Sequence, residues 1–178
     1  MKEIEIKFKL ENPEAVRRNL LELGGNYEGT VHEENYIYDF PDLRLKKEKK
    51  LLRLRKENDK AYLTFKSSLS DEEFKITEEF ETEVSNFSQT DKILQALGFH
   101  VVWIYKKEKE NWSLFGTKIS IDKLPYLGWW MEIEGEKNSI KNVVRSLGFD
   151  LAQGVTKTYR EIWDEYKKKY NLDRRDMI

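Results

Sequence analysis

Along much of this chain charged and apolar residues alternate, and the charges keep to one face of each alternating segment. At the start, Glu3, Glu5, Lys7 and Lys9 alternate with Ile4, Ile6, Phe8 and Leu10. Arg53 and Arg55 interleave with Leu52 and Leu54, and Tyr62, Thr64 and Lys66 with Leu63 and Phe65. Glu79, Glu81 and Glu83 share a phase, as do Lys107 with Lys109 and Glu132 with Glu134. A period of two is the signature of a strand with one apolar face. It predicts strands over 2–10, 51–56, 61–66, 76–84, 101–109, 112–115, 118–122 and 130–134. Asn58-Asp59 and Phe115-Gly116 fall between such runs as hairpin turns.

Helical spacing appears after Asn12-Pro13, where Val16, Leu20 and Leu23 fall on one face, and again over about 90–97, about 139–147 and 159–170. The first three of these end in Leu-Gly, as a glycine C′ cap requires. Pro-rich or Gly/Ser-rich linkers are missing, so the chain reads as one domain over 1–170, followed by a polar tail, 171–178, expected to be loosely held. Nine Phe, nine Tyr and five Trp exclude a disordered chain. With no cysteine there can be no disulfide, thiolate metal site or cysteine nucleophile. Without an apolar run of about 20 residues or a signal-like N-terminus, a cytoplasmic protein is expected, with no membrane partner. The net charge of -1 gives no bulk pull toward nucleic acid.

Two architectures accommodate the one-faced charge. A sheet can turn its charged face to water. Alternatively, the amphipathic helices cover the apolar face from outside and the sheet curls, placing the charges in the interior of a barrel of about eight strands. Segregation by sign favours a purpose for the second. Some strands are acidic (Glu79, Glu81, Glu83; Glu132, Glu134) and others basic (Arg53, Arg55; Lys107, Lys109). Buried charges need partners. A polyanion bridged to carboxylates by a hard divalent cation would supply them, with Arg and Lys on phosphate oxygens.

The residues also resemble a known family. Glu3-Ile4-Glu5-Ile6-Lys7 is similar to the ExExK signature of the CYTH superfamily, the triphosphate tunnel metalloenzymes. In order along the chain, 35–39 with Pro41-Asp42, Leu52-Arg53-Leu54-Arg55, Thr64-Phe65-Lys66, Glu79-Phe80-Glu81, Lys107-Glu108-Lys109, Ile121-Asp122, Leu127-Gly128, Glu132-Ile133-Glu134 and Thr156-Lys157-Thr158-Tyr159 resemble its later motifs. The resemblance runs from residue 3 to about 163. It implies an α+β fold, a closed antiparallel eight-stranded β-barrel with helices packed outside, holding a triphosphate with Mg2+ or Mn2+. Glu3, Glu5, Asp122, Glu132 and Glu134 would be metal ligands. Lys7, Arg53, Arg55, Lys66, Lys107, Lys109 and Lys157 would hold phosphate, and Glu79, Glu81 and Lys66 would serve catalysis. The family's usual Arg in K-x-R is Lys109 in this chain, which keeps the charge but loses the bidentate fork.

The activity expected is hydrolysis of the terminal phosphate of tripolyphosphate or of a nucleoside or thiamine triphosphate. Class IV adenylyl cyclase is the close alternative, and a non-catalytic polyphosphate-binding module a third. His32 and His100 stand alone and read as structural or surface residues. Trp129-Trp130 reads as barrel packing rather than a base-stacking platform. The run from Lys46 to Lys50 reads as a solvated loop. A homodimer is compatible with the sequence but not required by it.

Overall fold

The computed structural model describes residues 2–69, 71 and 73–178. Eight strands form one closed antiparallel barrel: β1 (Lys2–Leu10), β2 (Asn26–Asp39), β3 (Lys50–Glu57), β4 (Lys60–Leu69), β5 (Lys75–Val84), β6 (His100–Leu114), β7 (Thr117–Leu124) and β8 (Gly128–Glu134). Around the barrel they run β1-β5-β4-β3-β2-β6-β7-β8. The expected hairpins are tight. Asn58 closes β3–β4 with φ 50, while Phe115 and Gly116, at φ 50 and 76, close β6–β7.

Five helices accompany the barrel: α1 (Pro13–Glu22), α2 (Arg44–Lys47), α3 (Phe87–Ala96), α4 (Lys137–Ser146) and α5 (Tyr159–Tyr170). Asn12 caps α1 through its side chain, accepting from the Ala15 N–H at 3.1 Å, and Pro13 opens the first turn. Asn86 does the same for α3, starting it three residues before the Thr90 that spacing alone suggested. Leu23, Leu97 and Leu147 are the C-caps, each followed by a glycine of positive φ.

The helices cover the apolar face of the strands. Val16 and Leu20 of α1, and Ile140, Val143 and Val144 of α4, pack with Ile6, Phe8, Leu10, Ile121, Met131 and Ile133. Leu94 of α3 packs with Tyr38, Leu52 and Leu54. The charged face is thereby turned inward, and the alternative of a sheet with one wet face is excluded.

Two short pairings tie the C-terminal third to the barrel. β1 pairs with β5 only as far as Glu5, and beyond it Val155 exchanges backbone hydrogen bonds with Lys7 at 3.0 and 2.8 Å. Gly154 allows this approach, because a Cβ there would fall 2.1 Å from Ile6 Cδ1. The tail, expected to be loose, is anchored. Met177 is fully buried, its N–H donates to the Ile104 carbonyl at 2.9 Å, and its carbonyl accepts from Lys106 at 3.0 Å. Its burial beside Trp103, Tyr159 and Trp163 supplies what the polar composition of 171–178 did not announce. Among the described residues, no helix is long and apolar enough to cross a membrane.

Candidate functional site

Closure of the barrel sorts the charges. The acidic strands β5, β1 and β8 are neighbours, and the basic strands β4, β3 and β6 lie along the remaining arc, with β2 between β3 and β6. Their inward side chains line one cavity of about 740 Å³. That is within the usual size range for a small-ligand pocket. One wall presents Glu3, Glu5, Glu79, Glu81, Glu132 and Glu134, and the other Arg53, Arg55, Lys66, Lys107 and Lys109.

Register fixes the pairs. Glu5 lies opposite Glu134 and Lys7 opposite Glu132 across β1 and β8. Lys66 lies opposite Glu79, and Thr64 opposite Glu81, across β4 and β5. Lys66 Nζ reaches Glu3 Oε2 at 2.5 Å and Glu79 Oε2 at 3.1 Å. Glu81 accepts from the Thr64 hydroxyl at 2.6 Å and takes Arg53 and Arg55 at 3.4 and 3.3 Å. Lys107 reaches Asp122 Oδ2 at 2.7 Å.

Each wall also contains charges of the opposite sign. Lys7, almost fully buried in the acidic wall, pairs with Glu5 and lies 3.3 Å from Glu132. Lys75 joins it, donating to Glu5 Oε1 at 2.7 Å. In the basic wall Glu33 is buried among Arg55, Lys107 and Lys109, at 3.5, 3.8 and 4.0 Å.

These contacts decide which carboxyls stay ionised. Burial alone would raise Glu5, but Lys7, Lys75 and Lys66 hold it well below the ordinary carboxylate range. Glu33 is lowered against the same burial by Lys107, Lys109 and Arg55. Glu132, again despite burial, is brought to about 2 by Lys7 and Lys107. Glu79 and Glu134 go the other way. Burial raises both, and in each case neighbouring Glu3 adds to the rise. Burial also raises Asp122, helped by Glu132, against the pull of Lys107.

Of the residues singled out from sequence, Glu3, Glu5, Lys7, Arg53, Arg55, Lys66, Glu79, Glu81, Lys107, Lys109, Glu132 and Glu134 all line the cavity. Asp122 sits one layer behind, held by Lys107 and by the Tyr159 hydroxyl at 2.8 Å. Lys157 is not brought in. Half-exposed, it pairs with Glu165 of α5 at 2.5 Å. Sequence reasoning missed Glu33, Lys75 and Tyr159. Glu33 shares the phase of Asn35, so alternation extended upstream would have found it, whereas Lys75 stands in no motif. Of the two tryptophans, Trp130 is buried and packs edge-on against Tyr159. Trp129 lies beneath Arg17 and Lys123. Asp39, next to the tyrosines of β2, has a structural role, accepting from the N–H groups of Phe40, Leu45 and Lys46 at 2.8 to 2.9 Å.

The donor set suits a hard divalent cation. It consists of carboxylate oxygens on adjacent strands, and the buried Oδ1 of Asp122 has no hydrogen-bond partner. Among the described residues no three acidic or histidine side chains already converge as a closed metal cage. Mg2+ does not require one, since it is ordinarily held by one or two carboxylates together with substrate phosphates and water.

The model of the CYTH domain matches residues 1–159. The chain belongs to the CYTH family. A Methanocaldococcus jannaschii protein provisionally named adenylate cyclase is 25% identical over 172 residues, spanning 91% of this chain and 98% of that protein. Among solved structures, a Pyrococcus horikoshii protein is 28% identical with a TM-score of 0.75, covering 88% of this chain and 96% of its own. A Hippeastrum protein, provisionally named adenylyl cyclase and described as having a dominant triphosphatase activity, shares the fold. It has 20% identity and a TM-score of 0.66, covering 94% of this chain and 96% of its own.

Proposed function

We propose that this CYTH-family chain is a divalent-metal-dependent triphosphatase that hydrolyses the terminal phosphate of a triphosphate lying in the tunnel. One observation carries the reading: a basic wall faces an acidic wall across one cavity inside the barrel. A triphosphate chain brings several negative charges, which the basic wall neutralises by bidentate contacts from Arg53 and Arg55 and point contacts from Lys107 and Lys109. Phosphoryl transfer depends mostly on such charge neutralisation and on in-line positioning. Glu3, Glu5, Glu132 and Glu134, with Asp122 behind them, are the residues to hold Mg2+ or Mn2+, which when bound would neutralise phosphate charge on the acidic side.

Glu79 is the better candidate for taking a proton from the attacking water. Its carboxyl is raised by burial and by Glu3, so as a carboxylate it is a stronger base than an ordinary one. Glu81, held low by Thr64, Arg55 and Arg53 against its burial, stays charged and orients the arginines. Lys66 bridges Glu3 and Glu79 and places an ammonium where the terminal phosphate would come to lie.

Cyclisation of ATP is the second reading. The name of the Methanocaldococcus relative favours it, as do the apolar Ile37 and Leu51 in the lining, which would suit a nucleobase. The Hippeastrum case means that the name alone does not decide. The deciding assay measures orthophosphate from tripolyphosphate, ATP and thiamine triphosphate with Mg2+ or Mn2+, and cyclic AMP in parallel. We expect metal-dependent orthophosphate from wild type and none from Glu5→Gln. Cyclic AMP with pyrophosphate would establish the second reading, and no product with either metal would defeat both.

A further inference from the structure

The acidic wall holds a lysine that no motif announces. Lys75 opens β5 directly opposite Glu5 of β1. Its Nζ donates to Glu5 Oε1 at 2.7 Å, and its side chain is only 17% exposed. Lys7 donates to that same oxygen. One carboxylate oxygen thus carries two ammonium groups. Lys7 has a second carboxylate in Glu132, whereas among the described residues Lys75 makes its only ion pair with Glu5.

The backbone beneath Lys75 is pinned while its side chain is long. Phe74 is buried, its N–H donates to Asp71 Oδ1 at 2.9 Å, and Lys137 holds the other Asp71 oxygen at 2.6 Å. A four-carbon stem on a fixed base can swing its ammonium from one partner to another at little cost in structure.

We propose that Lys75 is a resident cation: it holds Glu5 in the ligand position while no divalent ion is bound, yields that oxygen to the ion, and turns its ammonium to the incoming phosphate chain. This rests on the reading of Glu5 as a metal ligand. The displaced ammonium needs a new anion, and the triphosphate supplies it. Metal and substrate therefore bind with positive coupling, each favouring the other by the same factor. The free protein binds the metal less tightly than its carboxylates alone would allow.

The test is Mn2+ binding without substrate, followed by electron paramagnetic resonance, in wild type, Lys75→Met, Lys75→Gln, Lys118→Met and Glu5→Gln. Removing the ammonium should tighten Mn2+ about tenfold or more, the cost of giving up one charge-assisted hydrogen bond. At saturating Mn2+ the KM for tripolyphosphate should rise in the same variants. Lys118 lines the same cavity but is 80% exposed and 4.0 Å from Glu134. Its removal should change Mn2+ affinity by less than about threefold, as expected of a screened surface charge. Unchanged or weaker Mn2+ binding in both Lys75 variants, or an equal gain in Lys118→Met, overturns the exchange. If Glu5→Gln loses Mn2+ while the Lys75 variants bind as wild type, the ligand reading stands and the exchange fails alone. If Glu5→Gln binds Mn2+ as wild type does, both fail.

Discussion

Replacing Glu33 by Gln removes a carboxylate buried in the basic wall while keeping the shape of the side chain. Glu33 lies 3.5 Å from Arg55, 3.8 Å from Lys107 and 4.0 Å from Lys109. At an effective dielectric of about 20, each such contact is worth about 4 kcal/mol, so the three give roughly 12 kcal/mol before the cost of desolvation. Desolvation takes back several kcal/mol per ion. What remains is the usual penalty for breaking a buried pair, about 3–5 kcal/mol, because three cations would be left facing one another. For a chain of this length that lowers Tm by roughly 6–20 °C, measurable by calorimetry in metal-free buffer. A polyanion should restore what Gln removes. Tripolyphosphate at about 100 times its Kd contributes about 2.7 kcal/mol, so the variant should show the larger ligand-induced rise in Tm. It should also bind metal-free tripolyphosphate more tightly than wild type, because no resident carboxylate competes. A Tm within about 2 °C of wild type together with unchanged tripolyphosphate affinity would refute the view that Glu33 is the counter-ion of this wall.

Arg55→Lys keeps the charge but loses the fork, so KM for the triphosphate should rise about tenfold with a smaller change in kcat, by steady-state kinetics. Activity and stability should part company on the acid side. Because Glu79 and Glu134 lie above the ordinary 4.5, kcat/KM should begin to fall at a pH above that value. Glu5, Glu33 and Glu132 are lowered in the folded state, so the stability they contribute is present above 4.5 and lost as pH falls, for Glu132 down through about 2. Thermal melts should therefore not fall across the pH interval in which activity first declines, and Glu79 and Glu134, gaining their protons there, should raise Tm slightly.

Strand character was legible wherever alternation was clean, and the inward charges followed once helices were available to cover the apolar face. β2 was not read as the long strand Asn26–Asp39, because a register shift at Tyr27/Gly29 breaks its period and the stretch from Glu28 to Asn35 holds only one apolar side chain, Val31. β6 appeared as two runs, 101–109 and 112–115, because Glu110 puts a charge in the phase of Trp112 and Leu114, yet it is one strand of fifteen residues. Sign segregation along the sequence could not reveal that β5, β1 and β8 are neighbours, since that depends on how the barrel closes. For the same reason Lys75 was invisible: its importance comes from lying opposite Glu5, a pairing across 70 positions. Lys157 shows the converse, a motif position whose side chain turns outward to Glu165.

The proposed hydrolysis has water attacking the terminal phosphorus inside the tunnel. It is tested most directly by running the reaction on ATP in 18O-labelled water with Mg2+ or Mn2+ and following the products by phosphorus NMR and mass spectrometry. Hydrolysis of the terminal phosphate predicts one labelled oxygen in the released orthophosphate and unlabelled ADP. Unlabelled pyrophosphate appearing with cyclic AMP would contradict it, because the nucleophile would then be the ribose and not water.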